Sequence, residues 1–330
     1  MPATAKDVAR VAQVALPTAY EALRGDGRLS SSTRQRVLDA ATQLGYRPAS
    51  AARAIRTQRN QRIGVLVKHH PVVMETLLGV NSVLQDRGKQ LSIFPFDEDN
   101  AEQIVQQAFA ERAFDGVMAV DLVSPELEAK CAEEPHCVWV NTNRWSDRDC
   151  IRRNEHQAGQ LVGRALAETG WKRWRFITRR PRQADRPHFS TAQRLAGLQA
   201  AAERYGADLI ETLCIEPGRT HWRQLDQTLG PIEPGTALVF NDSYRVRTMQ
   251  NVLINRGLTH GQDLAIVCCD DTQEFAVTWP ELSRARFDRF QLGQAAAQML
   301  IDRIDEQQPQ PSQELEADWE PGETLVSRRQ

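Results

Sequence analysis

Polar side chains that directly follow apolar runs are the first candidates for chemistry. Asn241 and Asp242 follow the run Ala-Leu-Val-Phe, and Asp270 and Asp271 follow the run Ile-Val-Cys-Cys. In open α/β sheets a ligand lies beyond the carboxyl ends of the strands, so amide and carboxylate groups there would bind its hydroxyl groups or ring nitrogens. Asn and Asp also frequently serve as turn or cap residues. We assign Asp242 and Asp271 to that role, and it stays an alternative for the other two.

The sequence contains no motif that would add catalysis to such binding. It has no G-x-G-x-x-G after an apolar run, no Walker loop, no nucleophile elbow and no set of spaced metal ligands. Its six cysteines lack a C-x-x-C pair and any spacing that recurs in zinc sites, so we expect reduced and mostly buried thiols. We therefore predict no enzymatic activity, no cofactor and no metal.

Positive charge is concentrated at the beginning of the chain. Residues 1–62 contain eleven Lys and Arg against four Asp and Glu, whereas the remaining residues contain 30 against 39. The net charge is therefore +7 for the first segment and −9 for the second. Such asymmetry indicates a nucleic-acid-binding head on an acidic body, although a basic segment can also be a solvated surface.

Three short helices are predicted within the first 45 residues. The first begins after Thr4, the second contains Pro17 in its first turn, and the third follows the cap residues 30–33 and ends at Gly45. Three helices of this length form a helix-turn-helix bundle, whose second helix enters the major groove of DNA. A bundle of this size can also be a packing or dimerisation module.

The residues of this segment resemble the LacI/GalR family of repressors. The matching motifs are Thr4-x-Lys6-Asp7-Val8-Ala9, then Thr18, Ala22-Leu23 and Gly25, then Thr33-Arg34-x-Arg36-Val37, and Leu44-Gly45-Tyr46-Arg47-Pro48. Residues 51–57 resemble the family's hinge helix, which pairs with that of a dimer mate and inserts an apolar side chain into the minor groove. Ile55 holds this wedge position, where the family usually has Leu; the alternative is the buried face of a short helix.

The resemblance implies a DNA-binding surface of hydroxyl, basic and apolar side chains. The residues assigned to it are Thr4, Lys6, Leu16, Pro17, Thr18, Tyr20, Glu21, Arg28, Ser30, Arg34, Arg53 and Ile55. The family's base-reading positions correspond to Leu16, Pro17 and Glu21, so base readout would use thymine methyl groups and a cytosine amino group. Ala15 stands where the family normally has a capping Ser, which predicts a less stable start of the second helix.

Beyond residue 62, apolar runs alternate with amphipathic helical stretches. The runs predicted as strands are 63–67, 91–96, 116–120, 137–140, 174–178, 209–215, 237–240 and 264–269. This alternation is typical of parallel sheets covered on both faces, and there are too many strands for one small sheet. We therefore predict two doubly wound lobes.

These lobes resemble the periplasmic-binding-protein-like core of the same family. The resemblance implies an α/β fold with an N-terminal three-helix helix-turn-helix DNA-binding domain (1–48), a hinge helix and linker (49–62), and a two-lobed core of doubly wound parallel sheets (63–330). The chain would cross between the lobes near residues 157, 286 and 314. The N-lobe would contain about 63–157 and 287–314, the C-lobe about 158–286 and 315–330, with the ligand in the cleft between them.

The resemblance also implies which residues line this cleft. They are His69, His70, Asn143, Arg194, Trp222, Asn241 and Asp270. Arg194 begins the motif Arg-Leu-Ala-Gly, in which the family's arginine binds ligand oxygens. Trp222 is placed to stack on a sugar-like face, with core packing as the alternative. For His69 and His70 the alternative is a solvated loop, which is the more frequent role of such a pair.

Two further segments bear on the identity of the ligand. Residues 179–186 are unusually basic for a loop beside the cleft, which suits an acidic or phosphorylated effector or, alternatively, a solvated loop. Around residues 152–155, which read Arg-Arg-Asn-Glu, the family commonly has Asp-Asn or Asp-Asp. The resemblance therefore does not transfer a known effector to this chain.

Together these features predict a homodimeric transcription regulator, either a repressor, which we favour, or an activator. It would bind a two-fold symmetric double-stranded DNA operator and respond to a carbohydrate or carbohydrate derivative. The N-terminus lacks the pattern of a secretory signal, and no apolar run reaches the roughly 18 residues that span a bilayer, so we expect a cytoplasmic protein without membrane contact. The alternative is a cytoplasmic solute-binding protein without operator binding, which would leave the basic head unexplained.

Overall fold

The computed structural model describes residues 3–24, 29–46, 61–68, 73–97, 100–110, 114–121, 124–179, 187–215, 222–243, 246–270 and 280–328. The chain forms two compact units, Met1–Gln61 and Arg62–Gln330. Each unit has its own hydrophobic core. The predicted hinge helix lies outside the described residues, which do not include 47–60.

The first unit is a bundle of three helices, α1 (Ala5–Val11), α2 (Leu16–Arg24) and α3 (Ser31–Gln43). Its core consists of alanines and valines, namely Val8, Ala9, Ala12, Ala19, Ala22, Val37, Ala40 and Ala41. Small side chains let the three helices pack closely. The bundle confirms the predicted helix-turn-helix fold.

Side chains cap two of these helices. Thr4 accepts a hydrogen bond from the N–H of Asp7, and the Asp7 carboxylate accepts from the N–H of Thr4, which completes a capping box at α1. Ser30 accepts from the N–H of Thr33 at the start of α3. The residue before α2 is Ala15, whose carbonyl accepts a helical hydrogen bond but whose side chain has no acceptor. The start of α2 thus lacks the side-chain cap that the other two helices have.

The second unit contains two lobes with one six-stranded sheet each. The N-lobe strands are β1 (Arg62–Lys68), β2 (Gln90–Phe96), β3 (Gly116–Val120), β4 (Cys137–Val140), β5 (Cys150–Arg153) and β11 (Gln313–Leu315). The C-lobe strands are β6 (Arg173–Arg179), β7 (Asp208–Ile215), β8 (Thr236–Phe240), β9 (Leu264–Cys268), β10 (Ser283–Arg286) and β12 (Asp318–Glu320). Their orders are β11-β5-β4-β3-β1-β2 and β12-β10-β9-β8-β6-β7. All pairs of neighbouring strands are parallel except β10 with β12.

Helices flank each sheet. Those of the N-lobe are α4 (Val73–Asp86), α5 (Ala101–Ala110), α6 (Pro125–Ala132) and α11 (Arg289–Glu306). Those of the C-lobe are α7 (Glu155–Glu168), α8 (Phe189–Tyr205), α9 (Trp222–Leu229) and α10 (Val246–Asn255). Every residue of β3, β4, β8 and β9 is buried, as expected of strands covered on both sides. The predicted two-lobed α/β core is confirmed.

The chain crosses between the lobes three times. β5 leads into α7 at Asn154, β10 leads into α11 at residues 287–288, and β11 leads into β12 at residues 316–317. The crossings predicted from the sequence differ from these positions by up to three residues. Each lobe is therefore assembled from segments that are not contiguous in sequence.

A pair of glycines lets two helices touch in each lobe. In the N-lobe α4 crosses α11, and a Cβ atom added to Gly79 or Gly293 would overlap a backbone carbonyl of the facing helix. In the C-lobe α7 crosses α8 in the same way at Gly159 and Gly197. No side chain fits between the backbones at these points, so glycine is required for the close approach.

Candidate ligand-binding cleft and DNA-binding head

Five charged side chains meet where the strands of the two sheets end. Arg153 ends β5, Glu155 begins α7, Arg194 lies in α8, Asp270 follows β9 and Arg289 begins α11. We call these five residues the arginine cluster. The most exposed of the five side chains, that of Asp270, is only 14% exposed. Their charges are therefore paired mainly with each other rather than with water.

Arg194 donates hydrogen bonds from all of its nitrogens. Nε donates to Glu155 Oε2 at 2.7 Å, Nη2 donates to Asp270 Oδ2 at 2.9 Å, and Nη1 donates to the carbonyl oxygen of Asn241. Burial by itself would lower the pKa of Arg194, but Glu155 and Asp270 raise that pKa well above its ordinary value. Arg194 stays charged and holds the start of α7 and the ends of β8 and β9 in place.

Asp270 accepts hydrogen bonds from three guanidinium groups. Arg194 and Arg289 each donate from Nη2, and Nη1 of Arg153 lies 3.4 Å from both carboxylate oxygens. Burial would raise the pKa of Asp270, but Arg289, Arg153 and Arg194 outweigh it and hold the pKa well below 3.8. The carboxylate is ionised at neutral pH and joins the C-lobe to Arg153 and Arg289 of the N-lobe.

Arg153 has one close partner and several distant ones. Its Nη2 lies 2.8 Å from Glu155 Oε1. Its Nε lies 3.4 Å from Asn141 Oδ1, and its Nη1 contacts with Asp270 have the same length. Charge-assisted bonds are normally about 2.7–2.9 Å long. The guanidinium also lies 5.1 Å from the ring centre of Phe287. Nε and Nη1 are therefore held only loosely.

Two buried oxygen atoms lie next to this cluster on neighbouring strands. Thr178 in β6 and Asn241 after β8 are each 7% exposed. Within the part of the chain that the structure describes, neither Thr178 Oγ1 nor Asn241 Oδ1 has a hydrogen-bond partner. The Asn241 amide nitrogen lies 3.5 Å from Asp242 Oδ2. These two oxygens are available to a ligand that donates hydrogen bonds.

His188 and Asn143 connect the N-lobe to the start of α8. His188 caps α8, because its Nδ1 accepts from a backbone N–H of the first turn, and its Nε2 lies 2.8 Å from the carbonyl oxygen of Asn141. Burial lowers the pKa of His188, which favours the neutral ring with hydrogen on Nε2. Asn143 donates to the carbonyl of Pro187 and accepts from the N–H of Phe189, both at 2.9 Å.

Three of the seven cleft residues predicted from the sequence lie together. Arg194 contacts both Asn241 and Asp270, whereas Asn143 lies at the contact between the N-lobe and α8. The side chain of Trp222 and both His69 and His70 are outside the described residues. Contact between a ligand and any of these seven residues stays a prediction.

Sequence reasoning noted residues 152–155, which include Arg153 and Glu155, only as a departure from the family pattern, and it missed Thr178, His188 and Arg289 as members of this site. The strand that ends in Arg153 is only four residues long and half of it is arginine, so its apolar pattern was too weak to predict. Thr178 carried a usable signal, since it is the polar residue at the end of a predicted strand. His188 and Arg289 carried none, because their partners are distant in sequence.

The residues assigned to DNA contact differ in exposure. Lys6, Pro17, Tyr20 and Glu21 are exposed, and Thr18 and Arg34 are half-buried. Thr4 and Ser30 are exposed and cap α1 and α3. Leu16 packs partly against the core of the bundle, so only part of its side chain is available to a base. Arg28, Arg53 and Ile55 lie outside the described residues. The DNA contacts stay predictions.

Metal and membrane features are lacking from the described part of the chain. No helix there is both long and apolar enough to cross a bilayer. No three His, Cys, Asp or Glu side chains of those residues are grouped so that they could hold a metal ion. The six cysteines are free thiols, and all but Cys214 are buried.

Comparison with known proteins identifies two families of domain in the chain. Residues 4–49 match the family of bacterial regulatory proteins of the lacI type, and residues 164–325 match the periplasmic binding protein-like domain. The ribose operon repressor of Escherichia coli strain K12 is 25% identical over 320 residues, which cover 92% of this chain and 93% of that protein. The HTH-type transcriptional repressor PurR of Erwinia tasmaniensis is 26% identical over 342 residues, covering 99% and 96%.

Solved structures share the complete fold. A lac repressor dimer bound to operator and an anti-inducer superposes with a TM-score of 0.84 at 20% identity, covering 99% of this chain and 100% of that chain. A complex of the transcriptional regulator CelR with cellobiose has a TM-score of 0.69 at 21% identity, covering 98% and 100%. The chain therefore joins a lacI-type helix-turn-helix domain to a periplasmic binding protein-like domain, in the fold of the lac repressor.

Proposed function

We propose that the protein is a DNA-binding transcription regulator, acting as a repressor, whose operator affinity is controlled by a small carbohydrate-like ligand bound between the two lobes. The observation that carries this proposal is the convergence of buried polar groups from both lobes, namely the arginine cluster with Asn241 and Thr178. A few precisely placed polar groups within a cleft suit the recognition of one polar small molecule.

Several relatives support a carbohydrate as the ligand class. They include a ribose operon repressor, a regulator solved with cellobiose and a LacI family regulator from Enterococcus faecium solved with ribose. Hydroxyl groups donate and accept hydrogen bonds, and the cleft offers both kinds of partner. The ligand would fill the space that the ends of both sheets border.

The ligand would act through the contacts that join the lobes. Asp270 of the C-lobe is bonded to Arg289 and contacts Arg153 of the N-lobe, and His188 bonds to Asn141. A ligand that binds one arrangement of the lobes more tightly shifts the protein toward that arrangement. A change in the lobes would then alter how two heads are presented to DNA, which is the coupling that control of an operator requires.

A homodimer is part of the proposal, because a two-fold operator needs two heads. An exposed apolar surface on the N-lobe supports it: Met74 and Leu78 of α4 and Phe290 of α11 are 61%, 54% and 41% exposed. Exposed apolar patches on soluble proteins commonly mark protein contacts. Replacing Leu78 by Glu should raise the monomer fraction in sedimentation experiments, whereas Lys172→Glu should not.

We also propose a cytoplasmic location and no catalytic activity. The relatives named as repressors support both, since a transcriptional repressor acts by binding DNA rather than by converting a substrate. Incubation of the pure protein with a panel of sugars, followed by product analysis, would reveal turnover if this part of the proposal were wrong.

The experiment that tests the main proposal is selection of bound DNA from a random duplex library by the full-length protein. We expect a two-fold symmetric motif, and affinity for it that falls with salt at a log-log slope of about −0.9 per neutralised phosphate. Lys6→Ala should weaken binding to all sequences, whereas Glu21→Ala should change the preferred bases.

The same selection is repeated with sugars, sugar acids and sugar phosphates. At least one of them should change the recovery of operator DNA. If no sequence is enriched with or without these ligands, the protein is better explained as a solute-binding protein whose basic head has another partner.

A further inference from the structure

Thr178 Oγ1 and Asn241 Oδ1 are buried polar atoms that have no hydrogen-bond partner among the residues that the structure describes. Thr178 follows Ile177 and Asn241 follows Phe240, and Ile177 and Phe240 are paired across β6 and β8. The two residues therefore lie side by side at the carboxyl edge of the C-lobe sheet. A buried polar atom without a hydrogen bond is costly and uncommon in folded proteins. Two of them together, beside Arg194, indicate a place built for a bound group.

The second feature is Arg153, whose Nε and Nη1 lack a close hydrogen-bond acceptor. Two of its three nitrogens make only contacts of 3.4 Å, although its side chain is 9% exposed. Arginine only donates hydrogen bonds and accepts none. A ligand group that faces Arg153 must therefore be an acceptor, and an anionic oxygen is the strongest acceptor for a buried guanidinium.

We propose that the effector is a hydroxylated anion, a sugar acid or a sugar phosphate. Its carboxylate or phosphate binds Nε and Nη1 of Arg153, and its hydroxyl groups bind Asn241 Oδ1 and Thr178 Oγ1. This inference rests on the proposed function and narrows the class of its ligand. Arg194 acts as a positioning residue, because its nitrogens are bonded to Glu155, Asp270 and the Asn241 carbonyl.

The carboxylates of the cluster do not oppose this assignment. Asp270 is held by Arg194 and Arg289 at closer range than by Arg153, so an anion can take over Arg153 without leaving Asp270 unbonded. The cluster contains three guanidinium groups and two carboxylates. The cluster itself thus carries one excess positive charge, while the carboxylates of Asp121 and Asp242 contact Asn141 and Asn241 at its edge.

The test is a titration of the full-length protein by calorimetry with matched probes. The probes are glucose, gluconate, glucuronate and glucose 6-phosphate, the corresponding forms of galactose, and ribose with ribonate and ribose 5-phosphate. Inorganic phosphate is the control for a bare anion. We expect at least one acid or phosphate ester to bind at least about 30-fold more tightly than its neutral parent, since charged hydrogen bonds of this kind contribute the most to discrimination.

Two variants then assign the contacts. Arg153→Gln should weaken the preferred anion about 10- to 100-fold and bring its affinity close to that of the neutral parent. Thr178→Val should weaken it about 5- to 20-fold while leaving the unfolding temperature unchanged or raised, because the hydroxyl has no partner among the described residues. Arg173→Gln is the matched control, because it removes the same charge at the start of β6, where Arg173 pairs with exposed Glu233. It should change neither the affinity for the anion nor the unfolding temperature.

The outcomes separate this inference from the proposed function. Equal or tighter binding of neutral sugars, binding of none of the anions, or an unchanged preference in Arg153→Gln would overturn it. Thr178→Val keeps the inference testable if Arg153→Gln fails to fold, and so does the preference of the unmodified protein. If a neutral sugar controls operator binding, the inference is wrong and the proposed function stands. If the protein prefers an anion but binds no operator, the proposed regulatory function is wrong and the inference stands.

Discussion

The N-lobe and the C-lobe are built on the same plan and carry different chemistry. β1 holds the place in the N-lobe that β6 holds in the C-lobe, and in each lobe a helix arriving from the other lobe crosses a resident helix over two glycines. The arriving helix α7 begins with Glu155, whereas the arriving helix α11 begins with Arg289. The two lobes therefore share the way in which their helices cross. They differ in the residues at the helix starts and strand ends, which are the residues that could contact a ligand.

The largest effects should come from the glycine crossings. Gly293→Ala in the N-lobe and Gly197→Ala in the C-lobe each place a Cβ against a backbone carbonyl, so each should lower the free energy of unfolding by about 3 kcal/mol or more. Gly88→Ala is the control, because its added Cβ meets open space. It should lower the free energy of unfolding by about 1 kcal/mol, since alanine is strained in the left-handed backbone conformation of Gly88. Urea unfolding measures the free energy of unfolding of all three variants. If the alanine in one lobe causes little destabilisation, the helices of that lobe do not cross at the close distance that the glycines allow.

The second comparison concerns strand-end carboxylates. Asp270→Asn should destabilise the protein by about 3 kcal/mol because it leaves buried arginines with less countercharge. Asp121→Asn in the N-lobe should cost about 1 kcal/mol or less, since Asp121 is 28% exposed. Similar costs at both positions in urea unfolding would mean that the lobes do not differ in this respect.

The pH dependence of Asp270 follows from its lowered pKa. The folded-state pKa lies below 3.8, so the stability that its charge contributes is present above pH 3.8 and is lost only as the pH falls through the folded-state value. The difference in unfolding free energy between the unmodified protein and Asp270→Asn should therefore be constant from about pH 5 to about pH 8. A difference that shrinks within this interval would contradict the assigned direction.

His188 offers a smaller test of the contact between the lobes. Burial holds the pKa of His188 below 6.5, so the unfolded chain binds the proton more readily, and stability falls as the pH drops below 6.5. His188→Asn keeps a capping side chain for α8 but is too short to reach Asn141. It should lower stability by about 1 kcal/mol at neutral pH and reduce the loss of stability toward pH 5. Part of that loss should remain in the variant, because the pKa values of His136 and His260 are also lowered in the folded protein.

The smallest effect is expected at Asn143. Asn143→Ala removes the two hydrogen bonds to Pro187 and Phe189, which are partly exposed, and should cost about 0.5–1 kcal/mol. If Asn143 also contacts the ligand, the alanine variant should lose more in ligand affinity than in stability. Parallel calorimetry and unfolding distinguish the two roles.

The sequence predicted the strands that contain an apolar run and missed the short strands that are rich in polar and charged residues. β3 and β4 lie within the predicted bounds, and β1 and β6 extend them by one residue at each end. β5, β10, β11 and β12 contain three or four residues each and are rich in charged side chains, so hydrophobic periodicity gave no signal. These short strands are the ones next to the lobe crossings, which explains the small offsets in the predicted crossings.

Within the candidate site, sequence reasoning found residues with a local pattern. Arg194, Asn241 and Asp270 follow a motif or an apolar run, and the structure brings them into contact. Arg153 and Arg289 meet Asp270 only because two crossings bring the lobes together. Long-range ion pairs of this kind are set by topology, and neighbouring residues in the sequence do not indicate them.

The last crossings have a consequence for the order in which the protein folds during synthesis. Leu292, Ala296, Leu300 and Ile304 of α11 belong to the core of the N-lobe, so that core is incomplete until nearly the whole chain has left the ribosome. Of its strands, the C-lobe lacks only β12 once β10 has been made. The lobe that begins later is thus the first able to close its core, and the nascent N-lobe must wait with exposed apolar strands, which makes it the segment most in need of a chaperone.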